Sequence, residues 1–312
     1  MSNPVCYLGV DVAKNSLEVA FDRHRWKFSN SKEGHLKFIA QIQKLPTSMH
    51  VVCESTGSYH IEMGLALQDA GIAVTIANPA RIRYFGKSEG TLAKNDPIDA
   101  KLIERFANSK RPPADPPLCR KHLAFSEMAA HRGHLVEMVK VLRTHREQAR
   151  EPALVKAIDK SIAVLEKRLS LVEDQLRQTM EANPVWKRKF DELTTVKGVG
   201  FVTALVMLVK MPELGTLNRS QCAALGGLAP YDNDSGEHQG KRSIRGGRHE
   251  VRTALYMAAI SVIKFNPILK AFYERLIAQK KLFKVAITAV MRKLLIYLNG
   301  LLKTLSEQTS PA

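Results

Sequence analysis

Four prolines stand within six residues at Pro112-Pro113-Ala114-Asp115-Pro116-Pro117. Proline lacks the backbone N–H that a helix or inner strand needs, so no regular element crosses this point and the chain is divided there. The two sides differ in period. Before the break, short apolar runs alternate with helical patterns. Val5-Cys6-Tyr7-Leu8-Gly9-Val10 predicts a strand ending in Asp11, then a turn at Lys14-Asn15 leads to Leu17–Phe21 and Trp26–Phe28, an antiparallel meander. Ser29 to Ser31 caps a helix with apolar positions at Leu36, Ile39 and Ile42. His50–Glu54 is a fourth strand, Ile61–Asp69 a helix stopped at Gly71, and Val74–Ala77 a fifth strand. This order predicts an α/β domain over 1–112 with helices covering a mixed sheet.

After the break the period lengthens to that of helices. Leu154, Ile158, Ile162, Leu165, Leus 169 and 176 and Val172 recur at steps of three and four, the seam of a helical or coiled-coil arm over 118–183. That seam fits dimerisation and packing within one chain equally well. Asn183-Pro184 ends the arm, and 186–312 is expected to be a second, mainly α domain. From Lys187 onward it holds 20 Lys and Arg against 9 Asp and Glu.

Charge narrows the partners. The chain of 312 residues carries 47 Lys+Arg and 30 Asp+Glu, a net +17, which points to a polyanion and above all to nucleic acid. The start, Met1-Ser2-Asn3-Pro4, lacks the pattern of a signal peptide, and the apolar run from Val285 to Leu302 is interrupted by Arg292, Lys293 and Asn299, so no membrane partner is expected. Cys6, Cys53, Cys119 and Cys222 form no Cys-x-x-Cys, which argues against zinc fingers and disulfides and for a reducing cytoplasm. His131 and His134 lack further ligands at zinc spacing, and Cys53 reads as a buried strand residue.

Four acids stand out. Asp11 and Glu54 close two strands, and Lys94-Asn95-Asp96-Pro97-Ile98-Asp99-Ala100 sets Asp96 as a helix cap, Pro97 at the first helical position and Asp99 on the same side. Asp96 and Asp99 taken alone are ordinary helix-start chemistry. With two more acids at strand ends they form a hard oxygen site for Mg2+ or Mn2+, able to act on a phosphodiester.

The order Asp, Glu, Asp, Asp resembles the RuvC-type resolvases of the RNase H fold. The strings Gly9-Val10-Asp11-Val12-Ala13-Lys14, Glu54-Ser55-Thr56-Gly57-Ser58-Tyr59 and Lys94–Ala100 resemble the DEDD transposases of the insertion-sequence one-ten family, relatives of the Piv/MooV DNA invertases. The resemblance implies an RNase H-like (RuvC-like) first domain, a helical arm and a serine transposase domain. It further implies donor and target DNA, a structured noncoding bridge RNA, a homo-oligomer from dimer to tetramer, and a bacterial nucleoid location.

The second domain adds two motifs. Lys197-Gly198-Val199-Gly200 has the glycine pattern of a helix-hairpin-helix turn, where backbone N–H groups at a helix start meet a phosphate. An ordinary helix connection fits the same residues. The glycine-rich stretch Gly226–Arg248 contains Asp234-Ser235-Gly236, followed by Lys241, Arg242, Arg245, Arg248 and, beyond it, Arg252. These cations are expected to contact phosphates. By composition Ser235 is a turn serine. The resemblance makes it the recombination nucleophile, ahead of Ser243, while the tail after Pro267 matches no motif. Two alternatives remain: a metal-dependent junction resolvase in which water attacks, and a basic scaffold that only coats nucleic acid.

Overall fold

The computed structural model describes residues 5–55, 57–90, 96–232, 234–235, 238–240 and 242–307; among these, the side chains of 96–98, 234–235 and 238–239 are left undescribed. The chain forms two compact units, 1–120 and 121–312.

The first unit is built on β1 (Cys6–Val12), β2 (Ser16–Phe21), β3 (His24–Ser29), β4 (Met49–Glu54) and β5 (Ala73–Ala77), in the order β3-β2-β1-β4-β5. The first three strands form the expected meander, whereas β4 and β5 run parallel to β1. Side-chain alternation then sorts the sheet into two faces. Leu8, Val10, Val12, Val51 and Cys53 lie on one, buried beneath Phe38, Ile39 and Ile42 of α1 (Lys32–Gln43) and Met63 and Leu67 of α2 (Ile61–Asp69). Val52 and Ala77 lie on the other, under Ile82 of α3 (Pro79–Ser88) and Ile103, Phe106 and Ala107 of α4 (Asp96–Lys110). Ser31 caps α1 by accepting from the Gly34 N–H, and Asn78 caps α3 ahead of Pro79.

The proline run is not an idle linker. Asp115 N–H donates to Val74 O at 2.9 Å, the Asp115 carboxylate accepts from Ile76 N–H at 2.7 Å, and Thr75 Oγ1 donates to Pro113 O at 2.7 Å. An irregular segment thereby occupies the free edge of β5, where an unpaired strand would otherwise invite other chains.

The second unit begins with two long helices, α5 (Arg120–Gln148) and α6 (Pro152–Glu181), the first of which starts on the last residue of the sheet unit. Ile158 and Ile162 pack on Val139, with Leu142, Ala149 and Leu165 around them, so this part of the seam is used inside the chain. Arg132–Glu173, Arg143–Glu166 and Arg146–Asp159 pairs tie the two helices together as an antiparallel hairpin. At its base, Phe125, Leu176 and Met180 enter the main core of the unit. That core also takes residues from α7 (Pro184–Thr194), α8 (Phe201–Lys210), α9 (Arg219–Leu225), α10 (His249–Phe265), α11 (Pro267–Ala278) and α12 (Phe283–Glu307). By length and composition α12 is apolar enough to span a bilayer, but Val290, Leu294, Leu295 and Leu298 are fully buried in this core. Among the described residues of this unit there are also four short strands: β6 (Pro230–Tyr231), β7 (Asp234–Ser235), β8 (His238–Gln239) and β9 (Ser243–Ile244).

Candidate active site

Strand register brings the first two acids together. Val10 is the Cα partner of Cys53 across the parallel β1–β4 pair, so the next positions, Asp11 and Glu54, close neighbouring strands at the same end of the sheet. Both also fall on one face: Asp11 is two residues beyond Gly9 and Glu54 two beyond Val52, and it is this face that α4 covers. Asp11, Glu54 and Asp99 are half-buried.

Gly9 permits the approach of α4. A Cβ at Gly9 would stand 2.3 Å from both the Ala100 carbonyl oxygen and the Glu104 N, and 2.8 Å from the Glu104 Cα. Only a residue without a side chain lets a helix backbone rest on the strand this closely. At the far end of the contact, Glu104 reaches the β2–β3 turn, where its Oε1 accepts from the Asp22 N–H at 2.8 Å. Lys101 Nζ donates to Asp22 O at 2.5 Å and lies 2.5 Å from Glu104 Oε2, an ion pair lacking the geometry of a directional hydrogen bond. Asp22 sits at φ +50°, a left-handed conformation that aspartate tolerates in tight turns. Because Asp22 lies at the end of the meander remote from Asp11, α4 runs antiparallel to β1 and its first turn, with Asp96 and Asp99, points toward the acid-closed strand ends. Gly9, Lys101 and Glu104 were not singled out in the sequence. An i, i+3 Lys–Glu pair inside an apolar helix face was the available signal.

Carboxylate oxygens are the hard donors that a divalent ion takes, and three of the four acids are placed by the backbone at one end of one sheet face. Among the described residues no set of three His, Cys, Asp or Glu side chains is gathered closely enough to hold an ion. The fourth acid, Asp96, is described in its backbone alone. Burial pushes the Cys53 thiol up to about 12, aided by Asp115 and Glu54, so it is inert beside the acids. His131 and His134 are exposed on α5.

The serine lies on a ribbon. β7 pairs with β8 as Asp234↔Gln239 and Ser235↔His238, while β6 pairs with β9 as Pro230↔Ile244 and Tyr231↔Ser243. Ser235 is therefore the last paired position before the ribbon turn; residues 236 and 237 and Lys241 lie outside the described residues. Glycines close the base. Gly227 and Gly247 both have positive φ, and a Cβ at Gly247 would stand 2.1 Å from the Gly227 N.

Of the cations expected on phosphates, Arg245 is exposed and Arg242 pairs with Asp232. Two others are taken up by the fold instead. Arg248 Nη1 donates to Lys210 O at 2.7 Å and to Glu213 Oε2 at 2.9 Å, and its Nη2 donates to Glu213 Oε1 at 2.6 Å. Arg252 Nη1 donates to Gly246 O at 2.8 Å. A guanidinium forked onto a carboxylate has few donors left for a phosphate. Burial would raise the Glu213 carboxyl, but the Arg248 and backbone hydrogen bonds outweigh it and hold it below the usual range.

In the α7–α8 connection, Lys197 and Gly200 are exposed, whereas Gly198, at φ +100°, is pressed onto α10 with its missing Cβ 2.8 Å from the Val262 N. No side chain caps α8, and the Arg177 guanidinium lies 3.9 Å over the ring of its first residue, Phe201.

Comparison with known proteins finds two family models and several relatives that match the chain. Residues 8–149 match a family model for DEDD-type IS110 transposases, and residues 191–274 match one described as "Transposase IS116/IS110/IS902 family". The pilin gene-inverting proteins of Moraxella bovis and Moraxella lacunata are each 28% identical over 301 residues, covering 93% of both chains. An uncharacterised 43.6 kDa protein of insertion element IS110 from Streptomyces coelicolor is 27% identical over 164 residues, 51% of this chain and 39% of that one.

Proposed function

The chain belongs to the IS110 family of transposases and is a DNA-recombining enzyme, and from that premise we propose that it cuts and rejoins donor and target DNA through a phosphoserine link. The observation that carries this is the convergence of two acid-closed parallel strands with the first turn of α4, laid down across Gly9. A DEDD domain of this kind depends on a divalent metal, and on our reading the ion is Mg2+, held by Asp11, Glu54, Asp96 and Asp99. When bound, such an ion stabilises the charge that develops on a phosphate under attack and lowers the pKa of a coordinated hydroxyl.

Ser235 supplies the nucleophile. Its Oγ gives up its proton and forms an Oγ–P bond, the bond from phosphorus to the leaving deoxyribose oxygen breaks, and that oxygen takes a proton. A hydroxyl from the partner strand then attacks the phosphoserine and returns the serine. Phosphodiester energy is conserved throughout, so no nucleotide cofactor is needed. Lys197, Gly198 and Gly200, with Lys241, Arg242 and Arg245, would hold nucleic-acid phosphates, while Arg248 and Arg252 brace the ribbon base. Strand exchange between two duplexes calls for several active sites, hence a dimer or tetramer. A structured bridge RNA choosing both DNA partners, and action on the bacterial nucleoid, complete the proposal.

The test is a denaturing gel for DNA bound covalently to protein, after incubation with Mg2+, cognate DNA and the element's RNA. Adduct formed by the native chain and lost in Ser235→Ala and in Asp11→Ala is the expected result. Cleavage that persists in Ser235→Ala would assign the attack to water, as in a junction resolvase. Binding with no strand breakage would leave only a scaffold.

A further inference from the structure

The helix α3 reads Pro79-Ala80-Arg81-Ile82-Arg83-Tyr84-Phe85-Gly86-Lys87-Ser88. One side of it packs on α4. Ile82 and Gly86 are buried, the Phe85 and Phe106 rings meet edge to face at 5.7 Å, and the Arg81 guanidinium lies 5.6 Å over Phe106. A Cβ at Gly86 would stand 2.8 Å from Leu102 Cδ2. Lys110 Nζ, at the far end of α4, also lies 6.0 Å over the Phe85 ring, so the contact that fixes the level of the last turn of α3 is Gly86 on Leu102. The next residue of α3, Lys87, is thereby set about one helical turn from the level of Asp99, which precedes Leu102 by three residues. The last turn of α3 stands beside the acid end of the sheet.

Its other side is bare. Arg83, Tyr84 and Lys87 are exposed, Tyr84 at 70%. At about 100° per residue these three fall within an arc roughly 100° wide, opposite the buried arc of Ile82, Phe85 and Gly86. Among the described residues, neither Arg83 nor Lys87 takes part in an ion pair. Two cations four residues apart with an aromatic ring between them match a strand of nucleic acid: the cations fit successive phosphates and the ring offers a base a face to stack on.

We infer that the Arg83–Tyr84–Lys87 strip of α3 grips the DNA strand that leads to the acid end. This rests on the recombinase proposal for its choice of DNA, since the strip adjoins the acids. No group in it enters the chemistry.

The experiment measures binding by the full-length chain to an end-labelled single-stranded deoxyoligonucleotide by fluorescence anisotropy, in EDTA, across a salt series. Arg83→Ala combined with Lys87→Ala should weaken binding and lower the slope of log affinity against log salt by about 1.4, since each single-strand phosphate contact contributes about 0.7. Tyr84→Ala should weaken binding about tenfold with the slope unchanged, and Tyr84→Phe should retain native affinity. Native affinity and slope in all variants, or no binding by the native chain, would overturn the inference. So would a loss confined to the ribo-oligonucleotide of the same sequence, which would assign the strip to RNA. Because nothing is cut in EDTA, loss of binding in the α3 variants of a chain that never forms a covalent adduct would uphold the strip and refute only the cleavage mechanism.

Discussion

Alanine at Gly9 adds a single methyl group at the point where α4 crosses β1. That methyl would stand 2.3 Å from the Ala100 carbonyl oxygen and the Glu104 N, whereas ordinary contact begins near 3.4 Å. Both obstacles are backbone, so no side chain can swing aside, and the helix has to retreat by about 1 Å. Overpacking of this kind costs about 1–3 kcal/mol. For a unit of this size that lowers the melting temperature by roughly 5–15 °C. The effect on chemistry is expected to exceed the effect on stability. Asp96 and Asp99 ride on the displaced helix while Asp11 and Glu54 stay on the sheet, and misplacement by about 1 Å costs on the order of 100-fold in rate. Trp26 lies in β3 and Trp186 in α7, so urea unfolding followed by fluorescence in a Trp186→Phe background reports the sheet unit alone. Gly133→Ala, where a Cβ meets nothing within 4 Å, is the control and should be neutral or stabilising by up to about 1 kcal/mol. An unchanged urea midpoint in Gly9→Ala would refute the close crossing. A lowered midpoint with native cleavage at a temperature where the variant is folded would refute the link from crossing to acids.

Other outcomes follow from the same geometry. Lys101→Ala and Glu104→Ala each free one side of the Asp22 clamp and should destabilise the sheet unit by about 1–2 kcal/mol in the same urea assay. Arg248→Ala strips the half-buried Glu213 of its fork; with both side chains about a third exposed, the loss should be about 1 kcal/mol, read from thermal unfolding at neutral pH. Since the Glu213 carboxyl is held below 4.5 in the fold, its contribution is present above that value and is lost as pH falls through the lowered folded value, so native and Arg248→Ala stabilities should converge in acid. His35, His50 and His60 are held below 6.5 chiefly by burial, so the unfolded chain binds more protons there and stability should drop as pH falls below about 6.5, a drop reduced in His50→Gln. With iodoacetamide, Cys119 should react while Cys53, raised to about 12, and Cys222, raised to about 11, stay protected until unfolding, as mass spectrometry would show.

Local chemistry was legible wherever a residue acts on its own neighbours. Short apolar runs marked all five strands of the sheet, the central ones because helices cover both of their faces. Asn183-Pro184 marked a boundary between helices, because asparagine caps α7 from outside while proline needs no N–H in the first turn. The acids were visible as strand closures and a helix start, each with its own local signature. The helix α3 went unread: its ten residues interleave cations with apolar positions too briefly for the period to show.

What the sequence determined by itself is the list of elements, the acids at their ends and the excess of positive charge. Tertiary structure alone decided which face Asp11 and Glu54 share, since that depends on the register of β1 against β4, strands separated in the chain by two further strands and a helix. It decided that Gly9 is a crossing point, because the reason for the missing side chain is a backbone more than ninety residues away. It also divided the arginines, drawing Arg248 onto Glu213 across 35 residues of chain and leaving Arg245 exposed. Contacts close in sequence leave a periodic trace, but a contact between distant segments is set by how whole elements pack, and one strand of letters carries no record of it.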